Sequence, residues 1–204
     1  MLRHLFRQLL LLLAACLCLR AATPDVDAAF AKYWSARNPG EAAKAANDIA
    51  KTGTSFDEVY TRLRHGRPYS ARVPTGVVAD KRFSRIGEFA YTLDVPAAYD
   101  PARAYQVRIH LHGGVMRDQP TARGRGGMGR LAGAEQIYVL PVGWSEAPWW
   151  SEAQIENLRA ILDAVKRTYN VDENRVVLSG VSDGATGAFY VAMRDTTPYA
   201  AFLP

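Results

Sequence analysis

The chain has 204 residues, 49% hydrophobic and 22% charged, which suits one globular domain with an appendage and excludes a disordered or fibrous protein. Its formal charge is +5, but Arg3, Arg7 and Arg20 stand in the first 20 residues without an acid, so the remainder carries +2 (5 − 3). That excess gives no argument for nucleic acid as a partner.

Residues 1–22, MLRHLFRQLLLLLAACLCLRAA, set two arginines ahead of a leucine run too short to span a bilayer. This reads as an export signal and predicts a secreted or periplasmic protein. Two processing routes stay open. Leu13-Ala14-Ala15-Cys16 resembles a bacterial lipoprotein box, which would make Cys16 a lipid-bearing amino terminus and the chain's one link to a membrane, whereas Ala21-Ala22 offers an ordinary cleavage region. Both cysteines, Cys16 and Cys18, lie in this segment, so the exported domain is expected to carry no disulfide.

Residues 23–66 read as a small helical appendage. Phe30, Tyr33 and Trp34 recur near helical spacing as a packing stripe, Pro39-Gly40 marks a break, a second helix runs to about Lys51, and a third spans Ser55–Leu63. Ser55 and Glu58 have capping-box spacing. Composition turns to proline, glycine and serine between Arg67 and Thr75, which places a boundary there and a second domain at 76–204.

That domain opens with Gly76-Val77-Val78-Ala79, and strands are expected at Phe89–Val95, Tyr105–Leu111, Ile137–Leu140 and Val176–Ser179. A helix over Ser151–Tyr169 shows Ile155, Leu158, Ile161, Leu162 and Val165 on one face. Phe89–Val95 and Tyr105–Leu111 are close enough in sequence to be antiparallel neighbours, whereas the helix between the third and fourth strands suits a parallel crossover. The fold class is therefore α/β with a mostly parallel sheet.

Four segments invite a chemical reading. Val176-Val177-Leu178-Ser179-Gly180-Val181-Ser182-Asp183-Gly184 places a buried-strand run, a G-x-S-x-G pentapeptide and a helix start back to back, the pattern of a nucleophile elbow with Ser182 at its tip. Ile109-His110-Leu111-His112-Gly113-Gly114-Val115 ends a strand in a glycine pair that leaves backbone N–H groups free for an oxyanion, which the Asp183 N–H would complete. Pro141–Trp150 carries three tryptophans; Trp144 and Trp149 are candidate walls of a substrate cleft. Gly124-Arg125-Gly126-Gly127-Met128-Gly129 matches G-x-G-x-x-G, but it does not follow a strand directly. With Arg117, Arg123, Arg125 and Arg130 around it, it reads as a basic loop rather than a dinucleotide site. The histidines His4, His65, His110 and His112 show no metal-ligand spacing.

HLHGGV, YVLPVGW and YNVDENRVVLSGVSDG occur in an order and spacing that resembles the α/β-hydrolase superfamily, in particular its secreted esterases and prolyl-oligopeptidase-like serine hydrolases. The resemblance covers Phe89–Pro204 and departs at Ala185, where many members have a second glycine. It implies Ser182 as nucleophile and Gly114, Val115 and Asp183 as oxyanion-hole donors. It also implies a triad order of serine, acid, histidine, yet Ala185–Pro204 contains Asp195 and no histidine. The expectation is thus a partial hydrolase domain lacking its base, with His112 bracing the oxyanion turn rather than replacing that base. Ala200–Pro204 is expected to begin a further strand. The function expected is cofactor-independent hydrolysis of a small ester or acyl substrate through an acyl-enzyme on Ser182, weak in this chain. The alternatives are a peptidase of the prolyl-oligopeptidase type and a non-catalytic binding module of the same fold.

Overall fold

The computed structural model describes residues 25–84, 87–118 and 135–204. The segments expected to be an export signal, with Cys16, and a basic loop, with Arg123, Arg125 and Arg130, lie outside them. The chain divides between Pro68 and Tyr69 into two compact units.

The first unit is three helices, α1 (Val26–Ser35), α2 (Pro39–Lys51) and α3 (Phe56–His65). Each start is set by a side chain that accepts an otherwise orphaned N–H: Asp25 from Asp27, Asn38 from Glu41, and Ser55 from Glu58. Pro39 stands in the first turn of α2, where no N–H is required of it, so the Pro-Gly pair opens a helix as well as ending a connection. Ala29, Phe30 and Ile49 are buried together, with Tyr33, Trp34 and Val59 packed around them. The aromatic stripe is a packing stripe.

The second unit is a six-stranded sheet with helices α4 (Glu152–Thr168) and α5 (Asp183–Arg194). The strands are β1 (Gly76–Ser84), β2 (Gly87–Val95), β3 (Tyr105–Leu111), β4 (Gln136–Pro141), β5 (Val171–Gly180) and β6 (Ala201–Leu203), in spatial order β1-β2-β4-β3-β5-β6. β1–β2 and β2–β4 are antiparallel, whereas β3–β4, β3–β5 and β5–β6 are parallel. This corrects the one pairing expected from sequence proximity: β2 does not neighbour β3, because β4 lies between them. The β4-α4-β5 connection is the parallel crossover expected, and it steps over β3. The burial of β3 explains its place: six of its seven residues are buried, as in a strand covered on both faces and paired on both edges, whereas β1 exposes Val77 and Phe83 as an edge strand does.

One face of the sheet, carrying Val107, Ile109, Leu111, Ile137, Val139, Val176 and Leu178, forms a single core with Ile155, Leu158, Ile161, Leu162 and Val165 of α4 and Ala188 and Val191 of α5. Fully burying each such aliphatic chain contributes about 1.5–3 kcal/mol, so these contacts fix α4 and α5 on that face. The alternate residues of β3 and β5 point the other way and include Arg108, His110 and Ser179, all buried. Among the described residues no helix is long and apolar enough to cross a membrane.

Candidate active site

β5 ends at Gly180, and the chain turns through Val181 and Ser182 into α5. The Val181 N–H donates to Leu111 O at 3.2 Å and ties the turn to the end of β3, while the Gly184 and Ala185 N–H groups donate back to Val181 O and Ser182 O at 2.9 and 2.8 Å. Ser182 has φ 54° and ψ −121°, and among the described residues no other non-glycine has positive φ. Such a conformation costs about 1–3 kcal/mol in an L-residue, so the turn around it must hold it. Two glycines make that possible. A Cβ on Gly180 would collide with the Gly184 carbonyl group, and one on Gly184 with Leu111 O. Ser182 is exposed, and its side chain does not cap the helix it precedes. The hydroxyl therefore stands free of the α5 backbone at the carboxyl edge of the parallel strands.

The H-G-G turn lies directly against it. A Cβ on Gly113 would stand 3.0 Å from Ser182 Cβ and 3.5 Å from its Oγ, so only glycine leaves this approach open. Gly114 follows with φ 69°. The N–H groups of Gly113, Gly114 and Asp183 have no acceptor among the described residues. Val115 differs from the expectation placed on it. Its side chain is fully buried and its N–H donates to Asp183 Oδ2 at 2.9 Å, so that donor is already engaged. Gly113 belongs to the glycine pair expected to free backbone N–H groups but is not among the donors named there, and it is the member of this turn that lies against Ser182.

His112 braces the turn through both ring nitrogens. Nε2 accepts from the Gly143 N–H at 3.1 Å, which places the ring proton on Nδ1, donated to Gly113 O at 2.8 Å. Trp149 Nε1–H donates to His112 O at 2.7 Å, with the rings edge to face at 5.1 Å. His110 is buried on the other face of the sheet. Its Nδ1 is 3.0 Å from Ser179 Oγ, which also accepts from Arg108 Nε at 3.1 Å. Burial, and then the Arg108 charge, push its pKa below the ordinary imidazole value. His65, in the first unit, is held at Thr61 O. Asp195, almost fully buried, accepts a bidentate pair from Arg159 at 2.6 and 2.8 Å. Among the described residues no three His, Cys, Asp or Glu side chains form a group that could hold a metal ion.

The tryptophans expected as cleft walls are core residues. Trp144 is 5% exposed and packs on Phe89 at 4.9 Å, and Trp149 is 0% exposed against Gly143 and Gly187. Their loop is anchored from below by buried Gln154 on α4, whose Nε2 donates to Val142 O and Ala147 O at 3.1 and 3.0 Å. A second tie runs from the Ser145 N–H to Arg117 O at 2.9 Å, joining this loop to the segment after the H-G-G turn.

No protein-family model matches the sequence, and no curated protein matches it. Solved structures do. A thermostable esterase is similar at 21% identity and a TM-score of 0.52, covering 63% of this chain and 40% of its own. A ferulic acid esterase matches at 24% identity and a TM-score of 0.48 (62% and 58%). The ferulic acid esterase AmCE1/Fae1A of the anaerobic fungus Anaeromyces mucronatus matches at 18% and 0.46 (65% and 59%). The chain thus spans 40 to 59% of the length of these structures. The thermostable esterase and the strand-turn-helix at Ser182 agree on architecture, and the unit from Tyr69 to Pro204 has the α/β-hydrolase fold.

Proposed function

We propose that this chain is an exported serine hydrolase that attacks carboxylic esters through Ser182. The observation that carries this reading is the positive-φ serine, exposed at the elbow and touching a turn whose Gly113 and Gly114 N–H groups are unengaged among the described residues. In the step proposed, Ser182 Oγ bonds to the carbonyl carbon as its proton leaves, and the carbonyl oxygen takes up the negative charge facing Gly113, Gly114 and Asp183 N–H. The C–O bond to the leaving alcohol then breaks, the alcohol departs with a proton, and water later cleaves the acyl-enzyme. No cofactor enters this chemistry. Each such donor is worth about 3 kcal/mol of transition-state stabilisation, because it is aimed before the charge appears.

Proton removal is the weak step. Among the described residues both nitrogens of His112 are engaged and His110 is buried on the far face, so turnover by this chain alone is proposed to be slow. An activated aryl ester offers a leaving group that needs little help. Intact-mass measurement at neutral pH should show an acylated chain, and Ser182→Ala should not acylate. A matched anilide acylating as readily would favour the peptidase reading, and an unmodified folded chain the binding-module reading. Export and the Cys16 lipid are tested separately: a fatty-acid label should enter the parent and not Cys16→Ser, and an unlabelled parent removes the lipoprotein route.

A further inference from the structure

The carboxylate of Asp183 does something the elbow pattern does not ask of it. Asp183 is the first residue of α5, its backbone N–H has no acceptor among the described residues, and its side chain accepts the Val115 N–H at 2.9 Å. Val115 closes the turn that begins at His112, and its side chain is locked in the core. The turn is held by Nδ1–H of His112 on Gly113 O, by the Gly143 N–H on His112 Nε2, by the indole of Trp149 on His112 O, and by the carboxylate of Asp183 on Val115 N. The first three tie it to itself and to the tryptophan loop. Asp183 ties its far end to the helix that follows the nucleophile, as the Val181 N–H on Leu111 O ties the elbow to the strand before the turn.

We infer that the Asp183 carboxylate is a positioning residue. By holding the Val115 N–H, it fixes the Gly113-Gly114 amides relative to Ser182 Oγ and so sets the geometry of the oxyanion hole. The inference rests on the serine-hydrolase reading above. It follows from the steepness of such sites: a donor misplaced by about 1 Å loses on the order of a hundredfold in rate, whereas binding of the rest of the molecule is little changed. The carboxylate also sets a formal negative charge close to where an oxyanion forms, which works against it. What the site needs from Asp183 is an acceptor in that place, and not the charge. An isosteric amide should serve about as well.

The test is saturation kinetics with a fluorophosphonate on the full chain. Ser182 Oγ bonds to phosphorus, the P–F bond breaks, fluoride leaves, and the hydroxyl proton goes to solvent, while the P=O oxygen occupies the oxyanion position. Asp183→Ala is expected to lower the maximal inactivation rate at least about tenfold with little change in the half-saturating probe concentration. Asp183→Asn should react at least as fast as about one third of the parent rate. Amide hydrogen exchange supplies a readout independent of reactivity: the Val115 N–H should be protected in the parent and in D183N and exchange faster in D183A. A parent that is not labelled at Ser182 overturns the hydrolase reading and this inference with it. A labelled parent with D183A unimpaired, or D183N as slow as D183A, overturns the inference alone. So does an unprotected Val115 amide in the parent, whether or not D183A folds.

Discussion

Replacing Trp149 with phenylalanine separates a core brace from a cleft wall. The indole is 0% exposed, its Nε1–H holds His112 O at 2.7 Å, and its six-membered ring fills the space over Gly143, where an added Cβ would stand 2.8 Å from Cε2 and 2.9 Å from Cζ2. Phenylalanine removes the donor and the volume of about three ring atoms. The lost hydrogen bond is worth about 1 kcal/mol net, and the lost burial with the residual cavity about 2 kcal/mol more. A destabilisation of about 3 kcal/mol is therefore expected, on the order of 10 °C in Tm for a unit of this size. Urea unfolding followed by circular dichroism, with the slopes compared, measures it. A change below about 1 kcal/mol would refute the reasoning, because a wall residue in contact with solvent is expected to give about that.

Three other outcomes follow from the same contacts. Gly184→Ala should abolish soluble, folded protein, since its Cβ would run into Leu111 O where neither strand nor helix can retreat; a variant that folds and melts within a few degrees of the parent would contradict this. His110 has its pKa lowered by burial and by Arg108, so the unfolded chain binds the proton more readily. Stability should then be complete above the ordinary imidazole pKa of about 6.5 and decline as pH falls below it. His110→Gln should flatten that decline in chemical unfolding measured from neutral to mildly acidic pH, and an unchanged slope would contradict the assignment. Arg159→Ala leaves the Asp195 carboxylate, 4% exposed, without its bidentate partner. Because the Arg159 side chain is itself 56% exposed, solvent screens the pair and moderates the loss of stability, and a double-mutant cycle with Asp195→Asn should recover part of it as coupling.

The helices were legible because their signals are local. Ser55 with Glu58 and the three- and four-residue steps from Ile155 to Val165 lie within a few turns of one another, and the observed helices start and stop within about two residues of those expected. The elbow was legible for the same reason, since strand, turn glycines and serine are contiguous. Strand order was not. Proximity in sequence suggested β2 beside β3, but the choice is made by which edges of a fully buried strand must be covered, and β3 takes a parallel neighbour on each side. Trp149 failed in a different way: an indole is equally at home in a core or a cleft, and the acceptor that decides, His112 O, is 37 positions away. The engagement of Val115 was equally invisible, because its acceptor is a side chain 68 positions on, in a residue that had been read only for its backbone.

The central claim is that Ser182, strained and exposed at the end of β5, is a nucleophile. The most direct measurement is peptide mapping by mass spectrometry after exposure to a fluorophosphonate. One phosphonyl group is expected, on the peptide that contains Ser182 and absent from Ser182→Ala. A folded parent that stays unmodified, or a modification that persists in Ser182→Ala, would contradict it.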